Sequence, residues 1–209
     1  MKAQETEKYP PRVVQHFLRS LAWLISKPLW FVRFHGRENI PPKDSGGYII
    51  ASNHQTYLDP GWVCIPIAQK LRFMAFDEAF GWKVIGRAIS YLGAFPVPLN
   101  GKAALKPIKE ALRALDDGAA LLVFPEGGRQ FADGELQPLK EGVARIAIQA
   151  GVPILPVTIT GGNRIWPRDQ KYPRFFTRVE VCYHAPLQVD ETDTPEGLTE
   201  KLRAALVSA

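Results

Sequence analysis

Asn53-His54-Gln55-Thr56-Tyr57-Leu58-Asp59 follows the apolar, β-favouring run Tyr48-Ile49-Ile50-Ala51-Ser52 and leads into Pro60-Gly61-Trp62. A buried strand that ends on a histidine, with a carboxylate a few residues on, is one way to assemble a base and the group that orients it. On a continuous helix, residues five apart sit about 140° around the axis, and their side chains diverge. His54 and Asp59 therefore meet only if the chain turns between them, at a strand-to-helix junction. Asp59-Pro60 also reads as a helix start, with aspartate as N-cap and proline at the first helical position. A histidine at a strand end can equally just hydrogen-bond its neighbours. On this stretch alone both readings stand.

Working outward, strand-like and helix-like segments alternate. Phe34 to Pro41 reads as a short strand running into a turn. Gly61 to Gln69 reads as a helix bent or ended near Pro66, Lys70 to Ala75 as a strand, Gly81 to Tyr91 as a helix and Ala94 to Val97 as a strand. Lys102 to Leu115 carries Leu105, Ile108, Leu112 and Leu115 on one helical stripe, closed by Asp116-Asp117-Gly118. A strand from Ala119 to Val123, a polar loop to about Pro138 and a helix from Gly142 to Ala150 follow. Val152 to Ile159 and Arg178 to Tyr183 read as strands, and Glu196 to Val207 as a terminal helix. This alternation predicts an α/β fold: one layered domain with a largely parallel central sheet flanked by helices, plus an N-terminal amphipathic helical segment.

The chain has 209 residues, 46% of them hydrophobic, enough for one substantial core. Its net charge of +5 suits acidic partners such as anionic lipid surfaces, phosphate head groups or acyl-carrier protein. No basic stripe with interleaved aromatics is present, so nucleic acid is not an expected partner. Cys64 and Cys182 lie in apolar contexts without metal-type spacing, and read as structural thiols of a reducing compartment. His16, His35, His54 and His184 are scattered; neither a metal nor another cofactor is expected.

Val13 to Val32 is apolar but broken by Arg19, Lys27 and Pro28, short of the roughly 20 apolar residues that span a bilayer. Nor is it a secretory signal, because charges interrupt the apolar region and no small-residue cleavage pattern follows. Val14, Phe17, Leu18, Leu21, Leu24 and Ile25 recur at helical spacing, with Arg19 and Lys27 off that stripe. Trp23, Trp30 and Phe31 add aromatic bulk suited to a membrane interface. The segment is either an interfacial helix or an amphipathic helix packed on its own domain.

A second stretch, Phe124-Pro125-Glu126-Gly127-Gly128-Arg129-Gln130, also follows an apolar strand-like run. Together with His54 and Asp59 it resembles the glycerolipid acyltransferase family, of the type that makes phosphatidic acid from lysophosphatidic acid. That family carries a His-x4-Asp motif and a later Phe-Pro-Glu-Gly-x-Arg motif in this order. The resemblance runs from about Gly36 to at least Thr160. It implies residues 1–35 as a membrane-interface segment and residues 36–209 as the acyltransferase domain, peripheral on the cytoplasmic face of a membrane. It further implies transfer of an acyl group from acyl-CoA or acyl-carrier protein to the hydroxyl of a lysophospholipid.

In that chemistry the hydroxyl must lose its proton, the thioester oxygen must be stabilised and the acceptor held. An imidazole suits the first task, and a positioned base contributes about 10²–10⁴ in rate. His54 is the histidine with a carboxylate partner in a motif; Asp59 fixes its tautomer and stabilises the imidazolium. Water could reach the same base, so the alternative readings are a thioester or phosphoester hydrolase, or acylation of a non-phosphate lysolipid or alcohol. No Gly-x-Ser-x-Gly elbow is present, in keeping with direct attack by the acceptor. Gly127 and Gly128 let the backbone approach a ligand closely, and Arg129 offers a planar fork for phosphate. The resemblance assigns Glu126 and Arg129 to the phosphorylated acceptor. Backbone N–H groups near the His54 junction could meet the oxyanion, but the sequence does not place them. One block departs from the family. In Phe95-Pro96-Val97-Pro98-Leu99 a leucine stands where a phosphate-binding arginine falls, with Lys102 three residues on as a candidate replacement.

Overall fold

The computed structural model describes residues 10–98, 105–129, 134–166 and 170–208. In chain order the elements are α1 (Arg12–Trp30), β1 (Arg33–His35), β2 (Tyr48–Ser52), α2 (Asp59–Cys64), β3 (Leu71–Phe76), α3 (Ile85–Tyr91), β4 (Ala94–Val97), α4 (Leu105–Asp116), β5 (Ala120–Val123), α5 (Gly142–Ala150), β6 (Ile154–Thr160), α6 (Gly162–Ile165), β7 (Glu180–Tyr183) and α7 (Pro195–Val207). Among the described residues the strands form one seven-stranded sheet, ordered β1-β7-β6-β2-β5-β3-β4. From β4 to β6 every neighbouring pair is parallel; β7 is antiparallel to β6 and parallel to β1. The α/β architecture with a largely parallel sheet and an N-terminal helix is as the alternation predicts.

β2 is the centre of the sheet, and all five of its residues are buried. Tyr48 and Ile50 face one apolar cluster with Trp62 and Val63, while Ile49 and Ala51 face the other with Leu115, Ala147 and Leu202. A strand covered by helices on both faces favours apolar side chains on both, which is why Tyr48–Ala51 lacks a polar alternation; the last residue, Ser52, satisfies its hydroxyl by donating to the Asn53 carbonyl at 3.0 Å. Such a run does not fix its own register, because a slip by one residue exchanges one apolar face for another. Asn53 supplies what the pattern lacks. Its side-chain amide donates to the Ile159 carbonyl at 2.9 Å and its side-chain oxygen accepts from the Ile159 N–H at 2.7 Å. These two buried bonds pin the end of β2 to β6 and release the next residue, His54, from the sheet.

Two helix boundaries differ from the sequence reading. The helix expected from Gly61 starts at Asp59 and ends at Cys64, before Pro66. The helix expected over Gly81–Tyr91 is instead a 3-10 turn, Asp77–Gly81, followed by α3. A Cβ on Gly86 would lie 2.3 Å from the Phe80 carbonyl oxygen, so this glycine lets the chain fold back where one straight helix was expected. Leu99 and Lys102 lie outside the described residues.

α1 packs on α2 with a mixed inner side, on which half-buried Leu18, Arg19 and Leu29 accompany buried Ser26 and Trp30. Ser26 is buried and accepts from Trp62 Nε1 at 3.2 Å, and the Arg19 guanidinium donates to the Ile67 carbonyl. Phe17 and Leu24, from the apolar stripe, are 64% and 63% exposed. Trp30, expected at an interface, belongs to the core instead. It is buried edge-on against Trp62 and donates its Nε1–H to the Arg174 carbonyl at 2.8 Å. No helix among the described residues is long and apolar enough to cross a membrane. Cys64 and Cys182 are free thiols, and burial pushes the Cys64 thiol well above its ordinary range, as befits an inert core residue.

Candidate active site

The site forms where the loops leaving β2 and β5 meet, beyond the C-terminal ends of these adjacent parallel strands, the usual ligand edge of an open α/β sheet. After Asn53 the chain turns through Gln55–Leu58 and enters α2 at Asp59. The turn is closed around one carboxylate. Asp59 Oδ2 accepts from His54 Nδ1 at 2.9 Å, Gln55 N at 2.5 Å and Thr56 N at 2.7 Å, while Oδ1 accepts from Thr56 Oγ1 at 2.8 Å. Thr56 Oγ1 in turn accepts from Leu58 N at 2.9 Å. Asp59 is fully buried, and its carboxylate reaches back along the turn, so it does not serve as the N-cap.

The tautomer of His54 follows from this network. A carboxylate only accepts, so Nδ1 carries the hydrogen, and in the neutral ring Nε2 has the lone pair. The imidazole lies flat on Phe124, ring centroids 3.9 Å apart and planes 17° from parallel, with its side chain 12% exposed. Ring plane, tautomer and access are thus all set, as a general base requires.

Phe124-Pro125-Glu126-Gly127 makes a tight turn, closed by Gly127 N to the Phe124 carbonyl at 3.0 Å. Gly127 has a φ of +70°, and a Cβ there would strike the Lys140 amine at 2.5 Å, so this position requires glycine. Glu126 is buried. Its Oε1 accepts from the His54 backbone N–H at 2.7 Å and its Oε2 from Gln137 N at 2.9 Å. Burial raises its carboxyl above the ordinary range, while the two backbone N–H donors pull the other way. Gly128 is exposed, and Arg129 stacks on Tyr57, its Cζ 3.5 Å from the ring centroid.

Of the residues expected from sequence, His54, Asp59, Glu126, Gly127, Gly128 and Arg129 gather at this one edge. The backbone N–H groups of His54, Gln55 and Thr56 donate to Glu126 and Asp59 and are not offered to an oxyanion. Sequence reasoning missed the supports: Asn53, Thr56, Tyr57, Phe124 and Gln137. Thr56 had a signal, since Thr-x-x-Asp has the spacing of a capping box, in which hydroxyl and carboxylate serve each other's turn. The Gln137 contact, eleven residues from its acceptor, had none.

Comparison with known proteins identifies the family. Residues 31–160 match the model of the family described as Acyltransferase. The chain is 31% identical over 184 residues to a chloroplastic 1-acyl-sn-glycerol-3-phosphate acyltransferase of Brassica napus, covering 87% of this chain and 53% of that protein. It is 33% identical to the 1-acyl-sn-glycerol-3-phosphate acyltransferase of Streptococcus pneumoniae, covering 86% of this chain and 65% of that one. The crystal structure of PlsC, the 1-acyl-sn-glycerophosphate acyltransferase of Thermotoga maritima, superimposes with a TM-score of 0.73 at 27% identity, over 93% of this chain and 76% of that one. The chain spans about half the length of the plant relatives it matches.

Proposed function

The chain belongs to the Acyltransferase family, and from that premise we propose that it moves a fatty acyl group from an acyl thioester to the hydroxyl of lysophosphatidic acid, in phospholipid biosynthesis. The observation that carries the proposal is the His54–Asp59 pair, with Nδ1 held at 2.9 Å by a fully buried carboxylate. The acceptor hydroxyl gives its proton to His54 Nε2 as its oxygen bonds to the thioester carbonyl carbon. When the tetrahedral intermediate collapses, the C–S bond breaks and the imidazolium returns the proton to the thiolate. Asp59 and the face of Phe124 both favour the cationic ring during the step. No enzyme nucleophile is needed. Arg129 holds the acceptor phosphate, and Glu126 holds the main chain under His54. Leu99 in place of an arginine removes one charged contact, so selectivity for the phosphate is weaker than in relatives that keep it, with Lys102 as a compensating cation.

Residues 1–35 attach the chain to a membrane surface without crossing it, on the cytoplasmic face. The seating of α1 supports this, because it leaves Phe17, Leu21, Leu24 and Ile25 exposed on the outer side for another apolar phase. Exposed Phe176 beside Phe31 and exposed Phe175 stacked on Trp30, with exposed Lys171 and Arg174 nearby in the chain, extend that surface with aromatic and cationic contacts suited to anionic lipid.

The test is incubation with radiolabelled acyl-CoA or acyl-carrier protein, with and without lysophosphatidic acid. Labelled phosphatidic acid that depends on the acceptor is the expected product. Free fatty acid released equally in both reactions makes the chain a thioester hydrolase instead.

A further inference from the structure

Tyr57 stands inside the His54–Asp59 turn, yet nothing in the proton-transfer step uses it. Its ring is held edge-to-face by two tryptophans, Trp82 at 6.2 Å and Trp166 at 5.6 Å between centroids. Trp82 arrives from the loop after β3 and Trp166 from the end of α6, which follows β6. Trp166 is itself fixed by its Nε1–H donating to the Gln170 carbonyl at 2.9 Å. Three aromatic side chains from three strand ends thus form a wall at the mouth of the site. The remaining face of Tyr57 carries the Arg129 guanidinium, its central carbon 3.5 Å from the ring centroid.

At that separation the guanidinium plane must lie along the ring, since an N–H pointed at the ring would penetrate it. Its donors then lie in a plane parallel to the ring, and in-plane bonds to a phosphate are made without breaking the stack. Ordering a long arginine side chain on phosphate binding costs entropy. A ring already clamped on two sides lowers that cost before the acceptor arrives.

We propose that Tyr57 is a positioning residue for acceptor recognition: braced by Trp82 and Trp166, it sets the plane in which the Arg129 guanidinium meets the phosphomonoester of the acceptor at the rim of the site. The inference rests on the phosphorylated-acceptor reading above. It assigns Tyr57 a share of acceptor affinity and none of the chemistry at His54.

A kinetic double-mutant cycle on the full chain tests it, using lysophosphatidic acid and acyl-CoA. Tyr57→Leu should raise KM for lysophosphatidic acid about fivefold, the size of an exposed to partly desolvated cation–π contact, with kcat and the donor KM within about twofold of wild type. Tyr57→Phe keeps the ring face and should keep KM. In an Arg129→Ala background, Tyr57→Leu should raise KM no further. The Arg129 Nε–H proton should show a ring-current shift in wild type and Tyr57→Phe that Tyr57→Leu abolishes, a readout independent of turnover. Additive KM losses, or a Tyr57→Phe variant as impaired as Tyr57→Leu, overturn the inference while transfer to lysophosphatidic acid persists. Absence of such transfer by the intact chain overturns the acceptor reading, and the inference with it.

Discussion

The backbone N–H of His54 donates to Glu126 Oε1 at 2.7 Å. A carboxylate from the second motif therefore grips the main chain of the first, and the two stretches that carry the chemistry are one structural unit. The other oxygen, bonded to Gln137 N at 2.9 Å, ties the same unit to the segment leading into α5.

Glu126→Gln separates bracing from acceptor binding. Glutamine has one acceptor and one donor group, so either the His54 or the Gln137 N–H must face an NH₂. A buried N–H left without an acceptor costs about 1–3 kcal/mol. A displaced His54 should lower kcat by about 10²-fold, with acceptor KM within about threefold of wild type. Steady-state kinetics decide: a raised acceptor KM at unchanged kcat assigns Glu126 to the acceptor instead.

The same residue sets a pH dependence of stability. Burial raises the Glu126 carboxyl in the folded chain above its ordinary value of 4.5, so the folded state holds this proton more tightly than the unfolded state. Its stabilising contribution is full below that ordinary value and is lost as pH rises through the folded value. Wild type should therefore lose stability relative to Glu126→Gln between pH 4 and neutrality, as read by urea unfolding across that range. A gain over the same interval contradicts the assignment.

How much of this was legible beforehand depends on the range of the interaction. The strand run of β2 and the five-residue offset of His54 and Asp59 are local, and they correctly pointed to a turn that brings the pair together. Asn53 was invisible because its partner, Ile159, lies 106 residues away and only the parallel β2–β6 pairing makes them neighbours. The amphipathic pattern of α1 was plain, but periodicity cannot say which side faces the protein. Arg19 and Ser26 share the inner side with Leu18 and Leu29, while Phe17 and Leu24 of the same pattern lie outside. Trp30 was misread for the same reason, since composition marks an aromatic as suited to an interface without recording that Trp62 covers it.

Asp59→Asn should cost activity far more than stability. Asparagine can keep its oxygen where Oδ2 lies and turn its NH₂ toward Thr56 Oγ1, which has a lone pair to accept it. The His54 tautomer survives, while the charge that stabilises the imidazolium is lost, and kcat should fall about 10²-fold. His54→Ala should lower it about 10³-fold or more with the fold intact. Asp59→Ala, by contrast, orphans the buried N–H groups of Gln55 and Thr56 and should lower Tm by about 4 °C or more. Kinetics and thermal unfolding of the three variants check this; an Asp59→Asn variant with wild-type kcat removes Asp59 from the mechanism.

The seating of α1 makes the last prediction, because opposite sides of one helix should fail in opposite ways. Phe17 and Leu24 are mostly exposed, so Phe17→Ser with Leu24→Ser should change stability by less than about 0.5 kcal/mol each. If those side chains enter lipid, each contributes about 1.5–3 kcal/mol to partitioning. The double variant should then lose about 10²-fold or more in binding to vesicles containing phosphatidylglycerol. Arg19 lies on the inner side, donating to the Ile67 carbonyl beyond α2. Arg19→Ala should therefore lower Tm by a few degrees and leave vesicle binding within about threefold, since it takes nothing from the outward stripe. Co-sedimentation and thermal unfolding of both variants give four readings. A reversed pattern, with Phe17 and Leu24 needed for stability and Arg19 for lipid, would mean that α1 turns its apolar stripe onto the sheet and that the membrane contact lies elsewhere.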